Sequence, residues 1–349
     1  MLSHGANDLC KKAFAMRAYV MPADPKSADD LKIVERPDPT PGPGQVVVRV
    51  RAVSLNYRDQ AAVTGNYFQK NDHETVPCSD GAGEIIAVGE GVRSLEVGDR
   101  VAGTFSQPDP HGPAGGPALP MGIPLDGMLA EQVLMHEVGA IKLPQGYSFE
   151  EGACLPCAGV TAWNCLFGVG KPMKPGETVL VLGSGGVSVW ALQIAKAAGC
   201  RVIATTGHDG KAQRLQALGA SDVINYKTHE KWDEEVMRVT GGRGVDCVVE
   251  VGGAGTLQRS MQSLARGGKV GLIGVLTQGS SNPHVLMMKA GSLHGIFVGD
   301  RTLFEQLVAA IDANGVKPVI DKVFPFEDAK GAFRHQASGD LIGKVVIAV

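Results

Sequence analysis

Residues 178–199, TVLVLGSGGVSVWALQIAKAAG, constrain this 349-residue chain more than any other segment. The first five residues run apolar without a break after Thr178, as in a strand buried on both faces of a parallel sheet. Gly183-Ser184-Gly185-Gly186-Val187-Ser188 then ends the run. Beyond it Val187, Trp190, Ala191, Ile194, Ala195 and Ala198 recur at i, i+3, i+4, i+7, i+8 and i+11, which is one face of a helix. Gly199 follows in the place of a C′ glycine. A strand, a glycine turn and an amphipathic helix in that order predict the first unit of a doubly wound α/β sheet.

The rest of the chain extends the pattern on one side and breaks it on the other. Strands are expected at 178–182, 201–205, 222–226, 245–251, 269–275 and 293–298, with helices starting near Val187, Asp209, Lys231, Gly255 and Arg301. Such alternation means parallel strands joined by crossover helices. From Met16 to about Ile141 the style is instead β-rich, with runs at 46–53, 84–88 and 100–105 set off by turn residues. Residues 107–124, rich in Pro and Gly, read as a long surface loop without regular structure. β style returns from Val316, with a short helix at 327–337 and a closing strand. The expected organisation is a disordered tail at 1–15, a β domain at 16–145 completed by 316–349, and an inserted dinucleotide-binding domain at 146–315.

Charge and cysteine content narrow the partners. The 33 basic and 36 acidic residues leave a net −3 with no like-charge block, so neither nucleic acid nor a membrane surface is expected as a partner. Residues 178–195 match a short membrane span in length, but the glycines at their centre break them. The N-terminus shows no apolar core ahead of a small-residue cleavage site. Seven cysteines, at 10, 78, 154, 157, 165, 200 and 247, are an odd number without framework spacing, which fits free thiols in a reducing, cytoplasmic setting. Cys154-x-x-Cys157 has no second pair, so it does not read as a structural zinc site.

The glycine turn carries the chemistry. Gly183 permits a tight turn, Gly185 lets backbone amides approach a pyrophosphate, and the helix beginning near Gly186 and Val187 adds free N–H groups and a positive dipole end. Ser184 lies between the glycines, and Ser188 replaces the third glycine of the fingerprint while staying small enough for close packing. An NAD-binding chain places Asp or Glu about 20 residues on, at the tip of the second strand. Here the tip reads Thr205-Thr206-Gly207-His208, and Lys211 and Arg214 follow. Two cations and no acid favour NADP(H), with NAD as the second choice because Asp209 is close and both cations can equally be solvated helix residues.

At this point the chain resembles the medium-chain dehydrogenase/reductase superfamily, on its zinc-free quinone-oxidoreductase-like and enoyl-reductase-like side, with zinc-type alcohol-dehydrogenase-like relatives. The resemblance rests on Ser54-Leu55-Asn56-Tyr57-Arg58-Asp59, Asp80-Gly81-Ala82-Gly83-Glu84, Val97-Gly98-Asp99-Arg100-Val101, Asp126-Gly127-Met128-Leu129-Ala130-Glu131, the glycine turn and Gly343-Lys344-Val345-Val346. It implies a GroES-like β-barrel catalytic domain plus an inserted Rossmann domain, with the active site in the cleft between them. Zinc-dependent members carry three ligands that would fall at Asn56, Ser79 and Cys157, of which only Cys157 suits zinc. Cys78, Asp80, His73 and His111 offer the material for a rebuilt site. Otherwise Cys157 reads as a small wall residue and Cys154 as core.

The same resemblance supplies the remaining site residues. Asn56 and Asp59 lead to Gly65-Asn66-Tyr67 at the spacing of zinc-free reductases. A phenol stays protonated at neutral pH and can donate to a developing enolate, so Tyr67 is a catalytic candidate; the bland alternative is an aromatic that closes the cleft. Asn56 and Thr161 are expected to position nicotinamide or ribose, Tyr226 and Lys344 to approach the NADP phosphate, and Val251, Gly252, Gly274, Val275 and Val298 to line the cofactor. A homodimer is expected through the strand at 293–298, apolar and without Pro or Lys to blunt an edge. The function expected is a metal-free, NADPH-dependent oxidoreductase that passes hydride to a quinone or α,β-unsaturated carbonyl. The alternatives are an alcohol dehydrogenase with a rebuilt zinc site and a non-catalytic NADPH-binding protein.

Overall fold

The computed structural model describes residues 15–108 and 118–349. His111, the middle of the loop expected at 107–124 and the tail expected at 1–15 lie outside them, except that Ala15 opens the first strand rather than belonging to the tail. The chain divides into two compact units. One runs through Cys157 and includes Lys322–Asp340 and Val345–Val349; the other holds Ala158–Asp321 and Leu341–Lys344. The domain borders expected at 145/146 and 315/316 therefore shift. Residues up to Cys157 stay with the first unit, where the Cys157 N–H donates to Asp80 at 2.9 Å. Residues 341–344 join the second, where the Gly343 N–H donates to the Ser184 carbonyl at 2.9 Å.

The first unit opens with β1 (Ala15–Val20) and β2 (Lys32–Pro37), an antiparallel pair. Then come β3 (Gln45–Ser54), α1 (Tyr57–Val63), β4 (Asp80–Val88) and β5 (Arg100–Gly103). β3, QVVVRVRAVS, is dense in β-branched residues and almost wholly buried, as a central strand should be. β6 (Ser106–Pro108) and β7 (Ala118–Pro120) pair antiparallel where a structureless loop was expected. Gln107 on β6 is only 2% exposed, and its amide reaches the Thr104 carbonyl at 3.4 Å. β8 (Gln132–His136), β9 (Ala140–Lys142) and α2 (Phe149–Ala153) complete the stretch.

The second unit begins with α3 (Val160–Trp163), which runs into a π-helical turn at Asn164–Gly168. Strand and helix then alternate: β10 (Thr178–Val181), α4 (Gly186–Ala197), β11 (Arg201–Thr206), α5 (Asp209–Ala217), β12 (Asp222–Asn225), α6 (Trp232–Val239) and β13 (Val245–Glu250). α7 (Ala254–Gln262), β14 (Leu264–Leu272), α8 (His284–Lys289), β15 (Ser292–Gly295) and α9 (Arg301–Asn314) follow. The strands are parallel in the order β12-β11-β10-β13-β14-β15, the doubly wound arrangement with β15 at one edge. Leu180, Ile203, Val236, Val248, Met261 and Val270 pack in its core. α8 was not anticipated, and β14 starts five residues before the expected 269.

The last elements are β16 (Ile320–Pro325), α10 (Ala329–Ala337) and β17 (Lys344–Ala348). β17 lies between β16 and β3 in the order β16-β17-β3-β4-β5-β9, and β8 pairs with β3. The expected insertion topology is thus present. Among the described residues no helix is long and apolar enough to cross a membrane.

Candidate functional site

In the parallel-sheet unit the glycine turn takes the expected form. Gly183 has φ 75°, a left-handed value that a side chain resists, and its N–H donates to the Thr205 hydroxyl at 3.2 Å. α4 starts at Gly186, so its first N–H groups are presented at the carboxyl edge of the sheet. An added Cβ at Gly185 would meet nothing within 4 Å, which leaves room in front of the turn. Ser188 is 1% exposed and donates to the Leu182 carbonyl at 2.6 Å, so it fastens the helix to its strand where glycine would only pack. Lys344, 4% exposed, lays its side chain against Gly186, where a Cβ would sit 2.6 Å from its Cδ. The lysine therefore belongs to the glycine turn.

Thr205 and Thr206 are buried at the tip of β11. The Thr206 hydroxyl accepts from the His208 N–H at 3.2 Å and shapes the turn into α5. Asp209, the acid that kept NAD open, accepts from the Asn225 amide at 2.6 Å. Lys211 is buried on the first turn of α5, whereas Arg214 is exposed. Tyr226 stands over Gly207, where a Cβ would lie 2.5 Å from its hydroxyl. Val251 and Gly252 follow β13, Gly274 and Val275 follow β14, and Val298 follows β15, so all five lie at the same carboxyl edge. Thr161 lies on α3 and is buried.

The first unit gathers a second set of residues. Asn56 is the N-cap of α1, and its N–H donates to the Asp59 carboxylate at 2.8 Å. Its side-chain amide donates to Ser79 Oγ at 3.4 Å, and Ser79 Oγ donates to Asp80 at 2.7 Å. The other oxygen of Asp80 accepts from the Cys157 N–H, and Asp59 accepts from the Ser79 N–H at 3.3 Å. Two fully buried carboxylates thus draw Asn56, Ser79 and Cys157 together. These donors do not fit zinc: an amide and a hydroxyl, both engaged, accompany a single thiol. Among the described residues no three His, Cys, Asp or Glu side chains gather for a metal. Cys78 and Asp80 are buried, whereas His73 stands exposed, paired with Asp72 at 2.9 Å.

Tyr67 joins this set through Arg58. Arg58 is 9% exposed and donates to the carbonyls of Met121 at 2.7 Å and Ile123 at 3.1 Å. Its Nε donates to the Tyr67 hydroxyl at 3.5 Å, and the guanidinium lies 4.9 Å from the ring centre. Burial works against the charge, but Asp59 and Tyr67 outweigh it and the guanidinium pKa is raised. Tyr67 is half-buried and lines a cleft with Pro25, Ala62, Asn71 and Ile123. Cys154 is fully buried, as expected of core.

Arg58, Asp59 and Asp80 stood in recognised motifs, but only the fold gives them roles. Glu250 was missed altogether. It is fully buried at the end of β13 and accepts from the N–H groups of Gly252 at 2.7 Å and Gly253 at 2.9 Å, from Thr256 Oγ1 at 2.6 Å and from Ser260 Oγ. The signal was in the sequence as an acid followed by two glycines and two hydroxyl residues at helical spacing.

Known proteins share this combination. Residues 42–145 match the alcohol dehydrogenase GroES-like domain, and residues 186–313 match the zinc-binding dehydrogenase domain. A zinc-type alcohol dehydrogenase-like protein of Schizosaccharomyces pombe is 39% identical over 348 residues, 95% of this chain and 99% of its own. The quinone oxidoreductase of Rattus norvegicus is 32% identical over 318 residues, 88% of this chain and 90% of its own. The solved structure of an NAD-dependent alcohol dehydrogenase superposes with a TM-score of 0.84 at 32% identity, over 96% of this chain and 100% of that one. With a GroES-like β unit and a Rossmann unit carrying a dinucleotide turn, the chain belongs to the medium-chain dehydrogenase/reductase superfamily and is an NAD(P)H-dependent oxidoreductase.

Proposed function

We propose that this oxidoreductase is a zinc-free, NADPH-dependent reductase of quinones or α,β-unsaturated carbonyls. The observation that carries the reading is the donor set at Asn56, Ser79 and Cys157, engaged by Asp59 and Asp80 in hydrogen bonds. A Lewis acid would help to acidify a simple alcohol's hydroxyl, and this donor set does not suit one, whereas a conjugated acceptor is already polarised. The bound dinucleotide supplies the hydride. The chain's part is to hold it, orient the acceptor and deliver a proton.

Preference for NADPH follows from the tip of β11, where Thr205 and Thr206 replace an acid and Asp209 is taken up by Asn225. Lys211, Arg214 and Tyr226 are the residues to receive the 2′-phosphate. Gly183–Val187 and Lys344 would hold the pyrophosphate, and Thr161, Val251, Gly252, Gly274, Val275 and Val298 the nicotinamide half. Tyr67 is the proton donor in this reading. Arg58 directs Nε at the phenolic oxygen and occupies one of its lone pairs, so the O–H faces away, free to give its proton to the reduced acceptor. Asn56 orients the acceptor or the nicotinamide ribose.

The test pairs metal analysis of freshly purified protein with turnover. Substoichiometric zinc, together with NADPH oxidation by quinones, enones or enoyl thioesters, supports the reading. One zinc per chain with oxidation of simple alcohols overturns it.

A further inference from the structure

Among the described residues three non-glycine positions have positive φ, and Val298, at 51°, is the β-branched one. Branching at Cβ makes the left-handed region especially unfavourable, and such strain persists only where the surroundings over-determine it. The sequence reads 293–298 as one continuous strand, yet β15 stops at Gly295 and the chain turns at Val298. A glycine does follow, but Gly299 is needed where it is: a Cβ there would lie 2.7 Å from Val160 Cγ1. The strained position therefore falls to valine.

One side chain holds that turn. The Asn164 amide donates to the Val298 carbonyl at 2.7 Å. Asn164 opens the π-helical turn Asn164–Gly168, and its Oδ1 occupies the space a Gly168 Cβ would need, at 2.2 Å. Short π segments are common at functional sites. Thr161 stands three residues earlier on the same helical run. Thr161 and Val298 are both placed at the nicotinamide half in the reading above, and Asn164 links their two elements.

We propose that Asn164 is a positioning residue that keeps Val298 out of the strand conformation and so shapes the backbone that receives the nicotinamide end of the cofactor. This rests on the assignment of Val298 to that end. Without the Asn164 donor, Val298 relaxes towards extended φ and β15 lengthens over the space the nicotinamide would use. Glycine at 298 has no Cβ to strain, so it makes the clamp unnecessary.

The experiment measures dissociation constants of NADPH and of 2′-phospho-ADP-ribose, which lacks nicotinamide, for the full-length wild type, Asn164→Ala, Val298→Gly and the double variant. Asn164→Ala should weaken NADPH roughly tenfold, the value of one buried hydrogen bond, and leave 2′-phospho-ADP-ribose unchanged. In the double variant NADPH should bind as it does to Val298→Gly alone. An unchanged NADPH constant in Asn164→Ala, or an undiminished loss in the Val298→Gly background, overturns the proposal. Equal weakening of both ligands overturns instead the assignment of Val298 to the nicotinamide end. If Asn164→Ala does not fold, the double variant decides: its failure to fold makes Asn164 a purely structural residue and also overturns the proposal.

Discussion

Replacing Glu250 by alanine should damage the Rossmann unit and its cofactor affinity together. The carboxylate is fully buried and ties the end of β13 to the start of α7 through Gly252, Gly253, Thr256 and Ser260. Thr256 Oγ1 also reaches the Gly253 carbonyl at 3.1 Å, so this hydroxyl has a second partner when the carboxylate goes. The two backbone N–H groups have none in view. Bonds to a charged acceptor contribute about 1.5–3 kcal/mol each, so losing both costs about 3–6 kcal/mol. For a domain of this size, at about 2–4 °C per kcal/mol, Tm falls by about 6–24 °C. Glu250→Gln keeps a carbonyl oxygen for Gly252 and Gly253 and turns an NH2 towards the Ser260 hydroxyl, which can accept. Only charge assistance is lost, about 1–2 kcal/mol. Thermal unfolding with and without NADPH reads both effects, since ligand stabilisation scales with affinity. Alanine within about 1 kcal/mol of wild type, or glutamine as harmful as alanine, would refute the reasoning.

Three further outcomes are expected. Lys211→Ala should weaken NADPH about 10- to 100-fold and leave NADH unchanged, as for one charge-assisted phosphate contact; an unaltered NADPH/NADH ratio removes Lys211 from the site. β15 is the edge strand, Leu293 on it and Phe297 just beyond it are exposed, and Phe297→Asp should dissociate a homodimer built there. A monomeric mass for the wild type at micromolar concentration would end that proposal. Burial, then the nearby charges of Glu177, Cys247 and Asp246, push the Cys200 thiol from its ordinary 9.0 up to about 11. The folded state holds this proton longer than the unfolded chain, so the contribution is complete below about pH 9 and is lost as pH rises towards 11. Cys200→Ala should flatten the fall of Tm across that window, and an identical slope would contradict it.

What the sequence made legible is what short-range chemistry controls. The glycine turn was readable because tight φ and helix initiation need particular residues at fixed spacing, and Gly183 and Gly199 take the left-handed φ those places require. That the strands of this sheet are parallel followed from alternation alone, since crossover helices require it; their order came from the structure. The failures are tertiary. Val298 looks like strand because its neighbours are apolar, yet its φ is 51° and its carbonyl takes the amide of Asn164, 134 positions earlier in the chain. Gln107 looks like loop because Pro and Gly surround it, yet it is buried and lies on β6, opposite Leu119 of β7.

The site follows the same division. Asn56, Ser79 and Cys157 were identifiable by position, but what they are for depends on Asp59 and Asp80, which the sequence shows only as motif residues. Asp80 is the clearer case. Its register opposite Ser54 in the β3–β4 pair sets its carboxylate between Ser79 and the Cys157 N–H. A buried carboxylate in that place needs donors, and it finds them in the hydroxyl and the backbone amide. The hydrogen bonds that draw these three positions together thus give both carboxylates donors from the protein itself, which is the physical basis for the proposal that the site works without zinc.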